Sequence, residues 1–382
     1  MRYLAESRID LGAMRYNLSQ IRRHIGPKVD IMAVVKADAY GHGASVVAPF
    51  LERQGVSVFG VGHVFEAKAL RKAGVTGRIV VLQPDYHLDR ESYARFDLEC
   101  VINGEADLRP WQDGPPVPAH LFVDTGMGRE GVMPAAFLHC LEAIEDHKSL
   151  HLRGIATHFA SADAPCLASA KEQLHQFEEL LRMVPTSVLD QVQIHAANTG
   201  ATLNLPGSHF QMVRPGIWLY GQYPGAGKCP QRPVMSIHGR LMTVKTVPGG
   251  TQVGYGGTYS TPEPTRIGLV SVGYADGYPR AKSGHSQVWI RGTAYPVIGL
   301  VSMDMISVDL GLKGPIEEGD EVLILGGEPG EPSSLFQDAE LLGSITFERC
   351  CQLGMRLPRV FIDSTKASSA QANRESLQAQ HP

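Results

Sequence analysis

The chain predicts a two-part α/β protein: an N-terminal TIM-type (β/α)8 barrel followed by a C-terminal all-β domain. Three observations carry the prediction. At 382 residues it is longer than one hydrophobic core ordinarily serves. Eight short apolar runs alternate with helix-like segments over the first part of the chain. Past residue 230 the helical periodicity fades, and short apolar or alternating runs appear between Gly/Pro turns.

The eight runs are "DIMAVV" (30–35), "SVFGVG" (57–62), "RIVVLQ" (78–83), "LECVI" (98–102), "AHLFVD" (119–124), "LRGIATH" (152–158), "VQIHAA" (192–197) and "QMVR" (211–214). Several are apolar at nearly every position, the pattern of parallel strands buried on both faces. Between them, "GASVVAPFLERQG", "FEAKALRKAG" and "SAKEQLHQFEELLRMV" suit helices, the last with apolar residues three and four apart. A flavodoxin-like or Rossmann sheet is the competing arrangement. Eight units are many for it, and no GxGxxG follows the first strand. The later runs are "SIHGRLMTVKTV", "RIGLVSVGY", "SQVWIRGTAYPVIGL", "MISVDL" and "DEVLILGG", and a late helix is read in "SSLFQDAELLG". The expected division is a strand over residues 1–10 packing with the C-terminal domain, a barrel over 11–230, a β domain over 231–364 and a disordered polar tail over 365–382.

Composition narrows the function classes. A formal net charge of -4 gives no electrostatic case for a nucleic-acid or membrane partner. The start, "MRYLAESRIDLGAMRYNL", has no long apolar h-region, and no later run reaches membrane-spanning length. The six cysteines, Cys100, Cys140, Cys166, Cys229, Cys350 and Cys351, form no CxxC, so neither a zinc ribbon nor a redox pair is signalled, and no metal site is expected. Adjacent Cys350 and Cys351 read as buried helix residues. A reducing, cytoplasmic setting fits this usage.

Chemistry is signalled first by "VDIMAVVKADAYGHG" (29–43), where a fully apolar strand runs directly into Lys36. Active sites of such barrels lie at the C-terminal strand ends. A lysine among apolar groups has its charged form disfavoured and becomes a nucleophile suited to Schiff-base formation. A surface lysine at a strand end is the plainer alternative and, for an isolated lysine, the commoner one. Tyr40 follows four residues on, ahead of Gly41 and Gly43, which permit close backbone approach, and its hydroxyl can donate to an anion.

"VVKADAYGHG" resembles the lysine motif of alanine racemases, fold-type III enzymes that use pyridoxal phosphate (PLP), and the resemblance extends over roughly residues 5 to 362. It implies a PLP-binding barrel, a C-terminal β domain and a homodimer with shared active sites. Carried over motif by motif, Lys36 is the lysine that holds PLP as a Schiff base, and Tyr40 touches its phosphate. "DTGMGREGV" supplies Arg129 for the substrate carboxylate. "ATHFASAD" supplies His158, near the pyridine ring. "HAANTGATL" resembles the phosphate segment, with Asn198 and Thr199. "VRPGIWLYG" supplies Arg214 for the pyridine nitrogen, with Gly216 and Ile217 giving backbone N–H groups to the phosphate. In the second domain, "VGYGGTY" resembles the segment of the catalytic tyrosine, here Tyr255. "GYADGYPR" supplies Tyr274 at the entrance, and "GLVSMDMISVDL" supplies Met303 as a pocket-lining residue. The resemblance places these three in the active site of the other subunit.

The implied activity is interconversion of L- and D-alanine, supplying D-alanine for cell-wall synthesis. PLP spreads the charge of a carbanion, so two bases on opposite faces suffice: Lys36 on the face serving the D-isomer and Tyr255 on that serving the L-isomer. A phenol ordinarily titrates near about 10, so a tyrosine acting as a base needs a neighbouring cation. Arg214 with His158 is the candidate pair. An arginine at the pyridine nitrogen should leave that nitrogen unprotonated and limit side reactions.

Read singly, each residue has a plainer alternative. His158 suits a core histidine, Asn198 and Thr199 a helix cap, and Tyr255, Tyr274 and Met303 ordinary strand positions. Arg129 can pair with Glu130 or Asp124. The sequence also departs from the family. Phe122 stands where many relatives carry a carbamylated lysine that steadies the carboxylate-binding arginine, and Phe347 where a tyrosine contacts the phosphate. Leu300 and Ser302 replace a frequent arginine and cysteine. A racemase of a larger amino acid, such as serine or lysine, is a close variant. A PLP-carrying binding protein is the reading from another class, but such relatives lack the second domain and its tyrosine.

Overall fold

The computed structural model describes residues 3–111, 114–224, 230–328, 330–353 and 356–365. The expected disordered tail, from residue 366, and Cys229 lie outside the described residues. The chain divides into two units, one running Asn17–Leu219 and the other combining the residues up to Tyr16, a short segment from Tyr220 and the chain from Gln231 onward.

The first strand, β1 (Ala5–Asp10), belongs to the second unit and is followed by the helix Leu11–Ile25. The first unit is a closed barrel of β2 (Asp30–Val34), β3 (Val58–Val61), β4 (Arg78–Val81), β5 (Leu98–Ile102), β6 (Val117–Phe122), β7 (Leu150–Ala156), β8 (Gln193–His195) and β9 (Met212–Val213). Neighbours are parallel throughout, and β9 closes on β2 through Met212 opposite Asp30 and Val213 opposite Ile31. All eight runs read from the sequence are barrel strands. The connecting helices cover the outside with the expected spacing. Ala168–Arg182, for example, buries Ala170, Gln173, Leu174, Phe177 and Leu180.

Side chains alternate along each strand, so residues two apart share a face. Met32, Val58, Val80, Val101, Phe122, Ala156 and Met212, from seven of the eight barrel strands, form one apolar cluster. Each large side chain in it contributes about 1.5–3 kcal/mol by burial. Two positions earlier on three of these strands stand Arg78, Glu99 and His120, so the next interior layer is polar. Gly154, on β7, makes room for it: a Cβ there would lie 2.3 Å from His120 Nδ1.

In the second unit the strands are β10 (Met235–Val247), β11 (Gln252–Val253), β12 (Tyr259–Ser260), β13 (Thr265–Val270), β14 (Gln287–Ile290), β15 (Thr293–Ile298), β16 (Ile306–Asp309), β17 (Glu321–Leu325) and β18 (Arg359–Ile362). The sheet order is β13-β16-β15-β14-β17-β10-β1-β18, and β10 also pairs with β13, so the first six strands close into a ring. β10 reaches both partners because its register shifts at Ile237/His238 and at Leu241/Thr243. β1 lies antiparallel to β10 and parallel to β18. The helices Leu335–Leu341 and Thr346–Gln352 accompany the sheet. Asp338, on the first of them, is buried between Lys282 at 2.5 Å and Arg349 at 2.7 Å.

The division of the chain falls inside the helix Leu11–Ile25 rather than at residue 10. Arg15 pairs with Asp363 at 2.9 Å, and the Arg232 guanidinium lies over the Tyr16 ring at 4.2 Å. At the other end, Tyr220 accepts the Val234 N–H at 3.2 Å, which draws the segment from Tyr220 into the second unit. Among the described residues, no helix is long and apolar enough to cross a membrane.

Candidate active site

Lys36 sits half-buried just past the C-terminal end of β2. The next four residues have left-handed backbone, with φ of 51° at Ala37, 55° at Asp38, 56° at Ala39 and 52° at Tyr40. Such backbone costs roughly 1–2 kcal/mol per non-glycine residue, so the turn persists only because its surroundings hold it. Glu66 is the main anchor: Oε1 accepts the Ala37 N–H at 2.6 Å, and Oε2 accepts those of Gly62 at 2.7 Å and His63 at 3.1 Å. Asp38 accepts the Ala44 N–H at 2.8 Å, and His42 Nδ1 contacts the carbonyls of Tyr40 and Ala39 at 2.8 and 3.0 Å. The same turn carries Lys36 at one end and Tyr40 at the other.

Arg214, immediately after β9, is 5% exposed. Nη1 donates to His195 Nδ1 and to the His195 carbonyl, both at 2.8 Å. The two N–H groups of Nη2 are shared among the carbonyls of Thr157 and Ala196 and His158 Nδ1, at 2.8, 3.0 and 3.0 Å. Its Nε–H has no acceptor among the described residues. Burial, with Arg129 nearby, lowers the guanidinium to about 9, which leaves it a cation at neutral pH. Burial, and then the positive charges of Arg214, Arg129 and Lys36, hold His158 well below its ordinary range. His158 is therefore neutral, and the expected cationic pair reduces to Arg214 alone. Of these three cations, Arg214 is the one in direct contact with His158.

Behind Arg214 the polar layer continues. His195 Nε2 lies 2.9 Å from His120 Nδ1, and His120 Nε2 lies 2.7 Å from Glu99 Oε2. Arg78 grips Glu99 with two bonds of 2.6 and 2.8 Å. Burial works against the Glu99 carboxylate, but the bonds from Arg78 and His120 prevail and bring it down to about 2. His195 is held well below its ordinary range, by burial first and then by Arg214.

A second cluster joins Tyr40, Thr199 and Gly216. The Gly216 N–H donates to Thr199 Oγ1 at 3.1 Å, and a Cβ on Gly216 would meet the Tyr40 hydroxyl at 2.6 Å. Ile217, next in the chain, is fully buried. Asn198 caps the helix Thr199–Asn204, its side chain accepting the Ala201 N–H at 3.0 Å. Asn198 Nδ2 donates to the Phe159 carbonyl at 3.0 Å and lies 3.5 Å from His158 Nε2. The capping alternative thus holds for Asn198, alongside its place beside His158.

Arg129 stands on a loop organised by Asp124, which accepts the N–H groups of Gly126, Met127 and Gly128 at 2.7–2.9 Å. The half-exposed Arg129 side chain reaches Glu130 at 3.3 Å, not Asp124. Phe122 packs elsewhere: its ring faces the Arg214 guanidinium at 5.6 Å and meets His195 edge-on at 5.9 Å.

In the second unit, Tyr274 and Met303 occupy adjoining turns. The Tyr274 N–H donates to Ser302 and the Ala275 N–H to Met303, both at 3.0 Å. Arg356 clamps these turns, bonding Asp276 at 2.8 and 3.0 Å and Asp304 at 2.6 Å. Tyr255 follows β11 on a turn whose Gly254, at φ 72°, would place a Cβ 3.6 Å from the Leu300 backbone nitrogen. Tyr255, Tyr274 and Met303 are 71%, 44% and 52% exposed, unusual for large apolar side chains on neighbouring turns. Phe347 is half-buried on the helix Thr346–Gln352.

The first unit therefore brings Lys36, Tyr40, Arg129, His158, Asn198, Thr199, Arg214 and Gly216 to one end of the barrel, and the second exposes Tyr255 and, on adjoining turns, Tyr274 and Met303. Sequence reasoning missed Glu66, Glu99, His120 and His195. Glu99 and His120 carried a signal, as polar residues inside near-continuous apolar runs.

Comparison with known proteins matches residues 9–224 to the alanine racemase N-terminal domain and residues 234–361 to the alanine racemase C-terminal domain. An alanine racemase of Nostoc sp. is 36% identical over 363 residues, covering 92% of this chain and 94% of that protein. Among solved structures, alanine racemase from D-cycloserine-producing Streptomyces lavendulae is similar at TM-score 0.85 and 34% identity, over 95% of this chain and 98% of that one. Alanine racemase from Bacillus anthracis with bound L-Ala-P is similar at TM-score 0.86 and 31% identity, over 95% and 96% of the two chains.

Proposed function

The chain belongs to the alanine racemase family, a family of isomerases, and from that premise we propose that it interconverts L- and D-alanine with PLP as cofactor and two bases on opposite faces of the substrate. The observation that carries the reading is Arg214: a buried guanidinium held by five acceptors, with its Nε–H to spare, beside a neutral histidine.

The donor set suits PLP. Lys36 would hold the cofactor covalently through its amine. Tyr40, Thr199 and the backbone at Gly216 and Ile217, with Asn198 behind them, would hold the phosphate. Gly216 fits this because any side chain there would displace the Tyr40 hydroxyl. Arg214, which can only donate, suits the ring nitrogen through its spare Nε–H and would keep a proton off it. PLP, when bound, supplies the electron sink that makes the α-proton of the amino acid labile.

The rest falls to the chain's own residues. Arg129 would take the substrate carboxylate, being half-exposed where Arg214 is buried. Lys36 would remove or return the α-proton on the face serving D-alanine. Tyr255 of the partner subunit would do so on the other face, which requires a homodimer with shared sites. The exposure of Tyr255, and of Tyr274 and Met303 on their adjoining turns, supports that assembly. His158 would steady the tyrosine oxygen: its Nδ1 is occupied by Arg214, so its Nε2 bears the proton and can donate. Tyr274 and the Met303 backbone would line the entrance. D-alanine for cell-wall precursors, made in the cytoplasm, is the role this activity would serve.

The test uses purified protein with PLP and L-alanine in heavy water, following optical rotation and α-proton exchange together. Both signals should change at matched rates. Bound PLP with neither signal changing would refute alanine as the substrate.

A further inference from the structure

Three residues behind Arg214 are not used by that reaction: His195, His120 and Glu99, which continue in a row from the guanidinium across the barrel interior on hydrogen bonds of 2.8, 2.9 and 2.7 Å. We propose that Glu99 is a positioning residue for Arg214, fixing through His120 and His195 the direction of a hydrogen-bond chain that ends on the guanidinium. The proposal rests on the reading of Arg214 given above.

The argument is one of donors and acceptors. Arginine can only donate and an ionised carboxylate can only accept. Arg214 Nη1 donates to His195 Nδ1, so that nitrogen carries a lone pair and His195 is protonated at Nε2. His195 Nε2–H then donates to His120 Nδ1, which must also be a lone pair. His120 is thereby protonated at Nε2, and that N–H donates to Glu99. With a donor-only group at one end and an acceptor-only group at the other, both rings are neutral and each has a single tautomer. Reversing any link sets two N–H groups against each other at about 3 Å inside the barrel, where burial leaves neither another partner.

Three features indicate that the far end of the row is built rather than incidental. Arg78 fixes the carboxylate from behind with two bonds and is itself tied to Gln193 at 2.6 Å. Glu99, His120 and His195 are 5%, 0% and 0% exposed, so water does not substitute for any link. Gly154 leaves the space that the His120 ring occupies. The row acts on Arg214 by presenting a lone pair at His195 Nδ1. Without it, Nη1 would face an N–H, and the guanidinium plane, with Nε, would turn away from its present setting. This is the logic by which a carboxylate behind a catalytic histidine fixes its tautomer.

The test compares His120→Gln with His120→Leu. A glutamine amide can donate to Glu99 and accept from His195, so it reproduces the direction of the row. Leucine fills the space and reproduces neither bond. Histidine ¹⁵N shifts are read first on the cofactor-free protein. In the wild type both His120 and His195 should be Nε2–H tautomers, and His195 should remain so in His120→Gln. In His120→Leu, His195 should populate both tautomers. In the PLP-loaded enzyme kcat should fall on the order of tenfold or more in His120→Leu, the size seen when outer-layer partners are removed, and much less in His120→Gln. An Nδ1–H or doubly protonated ring in the wild type would overturn the proposal. So would equal behaviour of the two variants in both the shifts and kcat. Should the wild type fail to racemise alanine, the reading of function falls, and the tautomers of the cofactor-free protein still decide whether the row is directed.

Discussion

Glu66 accepts the backbone N–H of Ala37 at 2.6 Å, one residue past Lys36. Its other oxygen binds Gly62 and His63, so a single carboxylate joins the loops after β2 and β3 and holds the left-handed turn in place. Glu66→Leu should release both loops. The loss of three charge-assisted bonds predicts a destabilisation of about 1–3 kcal/mol, visible in the urea midpoint. The same change should weaken PLP retention, because Lys36 and Tyr40 lie at the two ends of the turn. An unchanged midpoint together with unchanged retention would show that the turn holds itself.

Gly154 offers a second test, of packing. Its φ lies outside the left-handed region, so alanine is tolerated by the backbone. The obstacle is steric: the new methyl would sit 2.3 Å from His120 Nδ1 and 3.0 Å from the Gln193 carbonyl. Either the ring moves and its bonds to Glu99 and His195 are lost, or β7 shifts. Overpacking of this kind costs about 1–3 kcal/mol. Thermal unfolding of Gly154→Ala should therefore come several degrees early, whereas a wild-type melting point would mean that the imidazole has room to spare.

Stability should also fall on mild acidification. His158 and His195 are held well below their ordinary value of about 6.5. Below that pH the unfolded chain binds protons that the folded chain refuses, so their contribution is present above about 6.5 and lost as pH drops. His209 and His238, lowered chiefly by burial, act in the same direction. Each histidine adds a slope of up to about 1.4 kcal/mol per pH unit. Glu99, at about 2 when folded against an ordinary 4.5, adds its share only below 4.5, for a total of roughly 3 kcal/mol by pH 2. Urea midpoints of the cofactor-free protein should be level from pH 8 to 7 and decline from about 6.5 downward. A midpoint constant to pH 5 would show that the two buried imidazoles accept protons freely.

These predictions also mark how far the sequence could be read. The barrel strands were legible because a parallel strand covered on both faces must be apolar nearly throughout, and "DIMAVV" and "RIVVLQ" satisfy that on sight. Lys36 was legible because its charge breaks such a run at the end where chemistry occurs. Glu99 and His120 break "LECVI" and "AHLFVD" in the same way, but in mid-strand. There, only the closed barrel shows that both side chains point inward and meet a partner. Glu66 gave no signal, since an acidic residue in the first turn of a helix is ordinary; its partners lie on other loops. The left-handed turn was equally hidden, because Ala, Asp, Ala and Tyr do not individually favour such backbone.

The assignment of two separate duties to Lys36 and Tyr255 can be tested by separating them. If Lys36 holds PLP and also serves as one base, Lys36→Ala should abolish both racemisation and the visible absorbance of the purified protein. On that assignment Tyr255 handles only the proton, so Tyr255→Phe should keep the absorbance, because the phenyl ring retains the packing and removes one oxygen. Racemisation should drop by at least about a hundredfold, the lower range for loss of a general acid–base group. Proton exchange should then become one-sided: with Lys36 intact, D-alanine should still exchange its α-proton in heavy water faster than L-alanine does. Equal exchange from both isomers in Tyr255→Phe would exclude Tyr255 as the second base and direct the search to another group on that face. Unchanged absorbance in Lys36→Ala would remove the covalent link that the strand-end lysine first suggested.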